Sequence, residues 1–171
     1  MLASNQAAAA PAGYGIVGHS APELEVDYWI DAEGKEAEAF TLASQEGKWV
    51  VLKCFQSWCP GCHSHGFPAL QAMSEALADN PKVAFAGIQT VFEGHYTNTR
   101  DKVLKTQTQY DLKIPMGHDP GLEHGQPKTM SDYRTGGTPW MILIDPERRV
   151  IYNDFGIDPK KAIEFLKVQT A

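Results

Sequence analysis

The chain has 171 residues, 43% hydrophobic and 21% charged, with a net charge of −6. These values describe one soluble globular domain, and the acidic balance argues against nucleic acid or an anionic membrane surface as a partner. No apolar run approaches the roughly 18–20 residues of a membrane-spanning helix, so no membrane insertion is expected, and three cysteines are too few to staple a disulfide scaffold.

Residues 1–17 are small and Gly/Ala-rich, the composition of a disordered tail, and a single domain is expected over 18–171. The N-terminus lacks the basic and long apolar regions of a secretory signal, which favours the cytoplasm; a removed signal would make the periplasm the alternative. Val26, Tyr28 and Ile30 alternate like an edge strand, 31–35 reads as a turn, and 38–42 as a short second strand or extended arm. The run 49–55 is apolar and of strand length. Beyond it, Phe67, Leu70, Met73 and Leu77 recur at helical spacing as far as Asn80-Pro81, a helix stop. A buried strand follows over 82–91, then a helix carrying Val103, Leu104 and Tyr110 that Asn98 or Thr99 can cap. Residues 114–116 are extended, 118–127 irregular, and 130–134 a helical turn. Trp140 to Ile144 reads as another buried strand, joined by a hairpin turn at 145–148 to Val150-Ile151-Tyr152. Asp158-Pro159 has the N-cap and first-turn signature of a last helix, with Ile163, Phe165 and Leu166 on its apolar side. Alternating strands and helices that finish in a hairpin imply an α/β fold around a mixed central sheet.

The chemistry centres on Trp58-Cys59-Pro60-Gly61-Cys62, where a strand ends and a helix begins. A thiolate is the attacking species, and a helix start stabilises one through free backbone N–H groups and the dipole. Pro60 suits the first turn, having no N–H to leave unpaired. Cys62, one turn further in, is the more sheltered thiol, so Cys59 would attack a disulfide and Cys62 would resolve the mixed disulfide. Two other readings share these residues. A metal site would draw on Cys59, Cys62, His63 and His65, but no second C-x-x-C or spaced His pair completes it. The C-x-x-C-H string also matches haem attachment, with Met116, Met130 or His118 as an axial ligand, yet here it terminates a buried strand. Neither a metal nor another cofactor is therefore expected. Thr138-Pro139 must sit at a strand end or irregularity, and a plain turn proline is its base-rate reading. Cys54 shares strand parity with Val50 and Leu52, as a buried small hydrophobe would.

In combination, the dithiol at a strand–helix junction, Pro68 within the helix, Thr138-Pro139, and Leu143-Ile144-Asp145 before a hairpin resemble the thioredoxin superfamily. Ala21-Pro22-Glu23-Leu24 and Gly47-Lys48-Trp49-Val50-Val51-Leu52 are similar to the TlpA/ResA-like thiol–disulfide oxidoreductases. The resemblance implies a thioredoxin-like fold, a central mixed β-sheet flanked by helices. It further implies Cys59 as nucleophile, Cys62 as resolving thiol, and Pro139 as a cis-proline facing them. Thr138 would offer backbone hydrogen bonds to a bound peptide, and Trp58 would form part of an apolar rim. The implied activity is reduction of protein disulfides by a monomer fed from an upstream electron donor. The runner-up readings are a peroxiredoxin-like thiol peroxidase, with antioxidant activity, and a Cys/His metal-binding module. Peroxiredoxins carry P-x-x-x-[TS]-x-x-C, and neither cysteine has both elements at that spacing.

Three departures from the resemblance concern proton transfer. Lys53 stands where many thioredoxins have a buried acid, six residues before the first cysteine. His65 stands where ResA-like proteins have an acid, three residues after the second, and one extra residue precedes Pro68. His65, or failing it His63, is the expected replacement because imidazole titrates near neutral pH. The plain alternative is that both are solvated. Lys53 would lower a thiol pKa if it points at the pair, or else snorkel to the surface.

Overall fold

Trp49–Phe55 forms a strand, β3, in which every residue is buried. Burial on both faces is what a central strand requires, and it explains why the run, Lys53 apart, is apolar rather than alternating. The computed structural model describes residues 13–122 and 125–171. Around β3 lie β1 (Tyr28–Ile30), β2 (Glu36–Ala37), β4 (Val83–Thr90), β5 (Met116–Asp119), β6 (Trp140–Ile144) and β7 (Val150–Asp154). They form one sheet in the order β2-β1-β5-β4-β3-β6-β7. β3–β4 and β4–β5 are parallel, whereas β3–β6, β6–β7, β1–β5 and β1–β2 are antiparallel. The thioredoxin-like mixed sheet expected from the sequence is the sheet observed.

Alternate residues of β3 feed two cores. Val51 and Phe55 join Phe67, Leu70 and Met73 of α1 (Phe67–Ala76), Val103 of α2 (Asp101–Gln109), and Ala162 and Leu166 of α4 (Pro159–Gln169). Val50, Leu52 and Cys54 face the other way, against Trp140, the N-terminal segment and Tyr133 of α3 (Lys128–Tyr133). Cys54 is thus a core residue, and burial pushes its thiol up to about 12, out of the reactive range. Lys53 shares the parity of Val51 and Phe55, the α1 side.

Several local expectations need correcting. β1 is not an edge strand: it pairs with β5 and β2, and the two-residue β2 is the edge. Residues 38–42 form no strand. They lead into a 3₁₀ turn at Ala43–Gln45, held by the Glu23 carboxylate, which accepts from the Leu42 and Ala43 N–H groups and pairs with Arg148. His118, placed in an irregular loop by the sequence, lies in β5. Neither Asn98 nor Thr99 caps α2, whose N-cap is Arg100 without a side-chain bond. Asp158 does cap α4, its Oδ1 accepting from Lys160 N–H at 3.1 Å and Lys161 N–H at 3.2 Å. Most of the expected tail lies outside the described residues. Its last part, 13–17, runs along the domain, with Gly15 N–H donating to Arg134 O at 2.8 Å and Ile16 packed on the core.

The helix after the dithiol is not uniform. It begins at Pro60, but Cys62–Gly66 is a single π turn, and Phe67 N–H donates to Cys62 O across five residues. A π turn takes up one residue more than an α turn. Across this wider turn Phe67 returns to the same core as Cys62.

Candidate active site

Cys59 occupies the helix N-terminus, half-buried, and Cys62 is buried one turn below it; both are free thiols. Cys62 N–H points at Cys59 Sγ, 3.4 Å away. The Cys62 S–H also donates to Cys59 Sγ, and this is the main reason that the Cys59 thiol is held down at about 5. The Thr138 side chain and the Cys62 and Gly61 N–H groups add to the effect, and partial burial opposes it. Cys62 moves strongly the other way, because it is the donor in that bond and is buried. One thiol of the pair is therefore an anion at neutral pH and the other a proton holder.

Pro139 closes the site from β6 through a cis Thr138–Pro139 bond, and the Thr138 carbonyl oxygen lies 3.5 Å from Cys59 Sγ. Gly61 has ordinary helical angles, so its backbone does not require glycine. A Cβ there would lie 3.2 Å from Pro139 Cδ, a tight approach that Pro139 would have to yield to slightly.

The loop before Cys59 is fastened by residues for which the sequence indicated no place beside the dithiol. Asn98 Oδ1 accepts from Ser57 Oγ at 2.8 Å and from Trp58 N–H at 3.2 Å. Gln89 Oε1 accepts from Ser57 N–H at 3.2 Å, while its amide donates to Thr99 O and to His118 Nδ1. Trp58 is 45% exposed, and its ring lies over Gly94, where a Cβ would approach it to 2.6 Å. His63 is neither solvated nor free. Nε2 donates to Ser57 O at 2.6 Å, and Nδ1 accepts from the Tyr110 hydroxyl at 2.5 Å. No periodicity signals Asn98, Gln89 or Tyr110 as site residues; only the fold brings them to the dithiol.

Of the two proton-transfer candidates, His65 is exposed and bonded to Ser64 Oγ at 2.7 Å. Lys53 lies in the interior, 1% exposed, and burial lowers its ammonium to about 8 against the opposing pull of Cys62, Cys54 and Cys59. It does not snorkel outward. Both side chains line a cleft of about 820 Å³, together with Gly61 and Pro139. Among the described residues, no group of three or more His, Cys, Asp or Glu side chains is gathered as a metal would need.

A thioredoxin-like sheet, a dithiol with one exposed and one sheltered sulfur at a helix start, and a cis-proline beside them define a thiol–disulfide oxidoreductase-like protein. The family model for AhpC/TSA matches residues 17–153, and the chain belongs to that family. A thioredoxin-like superfamily protein, SPOA0173, is 33% identical with a TM-score of 0.77, over 87% of this chain and 94% of that one. A thiol-disulfide isomerase from Corynebacterium glutamicum is 32% identical with a TM-score of 0.71, over 88% and 97% of the two chains. A structure described as the thiol:disulfide interchange protein DsbE from Chlorobium tepidum shares the fold at 20% identity and a TM-score of 0.65, over 91% and 97%. No curated protein sequence matches the chain.

Proposed function

We propose that the protein reduces disulfides in protein substrates through the Cys59/Cys62 pair. The observation that carries this reading is the opposed ionisation of the two thiols, one held down at about 5 and half-buried, the other buried and protonated. The Cys59 thiolate attacks one sulfur of the substrate disulfide and expels the other as a thiolate. Cys62 then loses its proton and attacks Cys59 Sγ, releasing the second substrate sulfur and leaving a Cys59–Cys62 disulfide. Two electrons pass to the substrate, and an upstream dithiol donor returns them. Trp58 and Thr138 flank the incoming chain, with Pro139 behind it.

The base for Cys62 in this reading is Lys53 rather than His65. Lys53 is buried and coupled to the thiols, whereas His65 is exposed and turned to Ser64. With an ammonium at about 8, a useful fraction of the amine is free near neutral pH. The test is capture: Cys62→Ser protein should accumulate mixed disulfides with a reducible protein such as insulin, and Cys59→Ser should accumulate none. Capture by Cys59→Ser instead would reverse the assignment.

Membership of AhpC/TSA supports a second reading, because the family also covers peroxiredoxin-like members. Consumption of hydrogen peroxide by the reduced protein, at rates that outpace insulin reduction, would favour it.

A further inference from the structure

The cleft beside Pro139 holds an apolar volume to which the proposed disulfide exchange assigns no role. Its walls are largely apolar, from Pro68, Ala69, Pro139, Met141, Phe155 and Ile157, and Lys53 opens onto it. The Lys53 side chain is buried up to the cleft, and among the described residues its ammonium has neither a hydrogen-bond acceptor nor a carboxylate partner; only the cysteine sulfurs pull on it, through space. A buried cation is ordinarily paired, because an uncompensated one is costly. The groups around it are otherwise engaged. Cys62 keeps its proton, the Cys59 sulfur is served by Cys62 and Thr138, and Asp158 at the cleft edge is committed to the N–H groups of α4.

Gly66 is the second observation. Its backbone is helical, φ −65° and ψ −52°, which any residue adopts. A Cβ at this position would lie 2.5 Å from Lys53 Nζ and 2.9 Å from Pro139 Cβ. The missing side chain therefore leaves the room in which the ammonium meets the cleft. The volume, about 820 Å³, falls within the range of small-molecule sites, which combine apolar walls with a few convergent polar groups.

We propose that this cleft binds a small apolar molecule bearing one carboxylate. The carboxylate pairs with Lys53, and the hydrocarbon lies against Pro139, Met141, Phe155 and Ile157. The occupant must be anionic to pair the buried cation and apolar to wet the walls. A dianionic phosphate fits the ammonium but leaves the hydrocarbon surface unfilled.

The test is calorimetric titration of the reduced wild-type protein with octanoate, butyrate and 1-octanol, none of which undergoes thiol exchange. Octanoate should bind one to one, at least roughly tenfold more tightly than either comparison ligand, since one loses apolar contact and the other the charge pair. Lys53→Met should bring octanoate down to the level of octanol. Gly66→Ala, which keeps the lysine but fills the space beside it, should weaken octanoate as well. Equal affinities for octanoate and octanol, a preference that survives Lys53→Met, or no binding of octanoate to wild type would each overturn the proposal. All three readouts are independent of whether the dithiol reduces insulin, so this proposal and the disulfide-exchange reading fail separately.

Discussion

His63 and Tyr110, 47 residues apart, meet at 2.5 Å, and their contact fastens the dithiol helix to the end of α2. The Tyr110 ring also stacks on Phe67 at 4.6 Å, so its hydroxyl and its ring serve different neighbours. Tyr110→Phe keeps the stacking and removes the bond. It should cost about 1 kcal/mol in urea unfolding, the usual net worth of such a bond. The same substitution should slow insulin reduction, because the Ser57 carbonyl that His63 holds lies immediately before Trp58 and Cys59. Unchanged stability and rate would mean that the contact carries no load.

The two thiols should titrate far apart. Cys59, held at about 5, is mostly thiolate well below neutrality, so its alkylation by iodoacetamide should rise between about pH 4 and 6 and then level off. Cys54, pushed up to about 12, and Cys62, raised by its bond to Cys59 and by burial, should stay unmodified in the native protein across that range. Mass spectrometry of the alkylated peptides checks this. Labelling that begins only near pH 8.5 at Cys59 would remove the basis of its assignment as attacking group.

Lys53 should make stability depend on pH with a definite sign. Its ammonium titrates at about 8 in the folded protein against an ordinary 10.5, so between those values the unfolded chain binds the extra proton. Stability contributed through Lys53 therefore rises from pH 8 to 10.5 and is lowest below 8. At pH 7 the buried charge costs on the order of 3 kcal/mol, as 2.5 units at 1.36 kcal/mol each. Lys53→Met should be the more stable protein at pH 7, and its advantage should shrink towards pH 10.5. The comparison of the two proteins matters, because the cysteines also titrate in that window. An advantage that does not change with pH would place its origin in packing instead.

Asp158 gives a simpler case. Its carboxylate accepts from two N–H groups at the start of α4, and Asp158→Ala should cost about 1 kcal/mol by thermal or urea unfolding. Asp158→Asn should recover most of it.

What the sequence revealed was what neighbouring residues decide among themselves. The strand–dithiol–helix junction, the Asp158 cap and the parity of Cys54 rest on spacings of a few residues, and all three stand in the structure. What it concealed came from afar. Asn98 reaches Ser57 across 41 residues, and Gln89 reaches the same loop across 32; neither distance leaves a local pattern. The short β1 reads as an edge because its alternation is visible, while its pairing with β5, 86 to 90 residues on, is not. The role of His65 was inferred from position alone. The fold turned that position outward and left Lys53 within.

The π turn at Cys62–Gly66 has a consequence for how this chain tolerates change. It takes up a length difference within five residues and hands the helix on in phase, so that Phe67, Leu70 and Met73 meet the sheet undisturbed. The wider turn separates the spacing of residues beside the sulfurs from the phase in which the helix meets the sheet. Such a segment is where relatives on one scaffold can diverge in chemistry without first having to rebuild what keeps them folded.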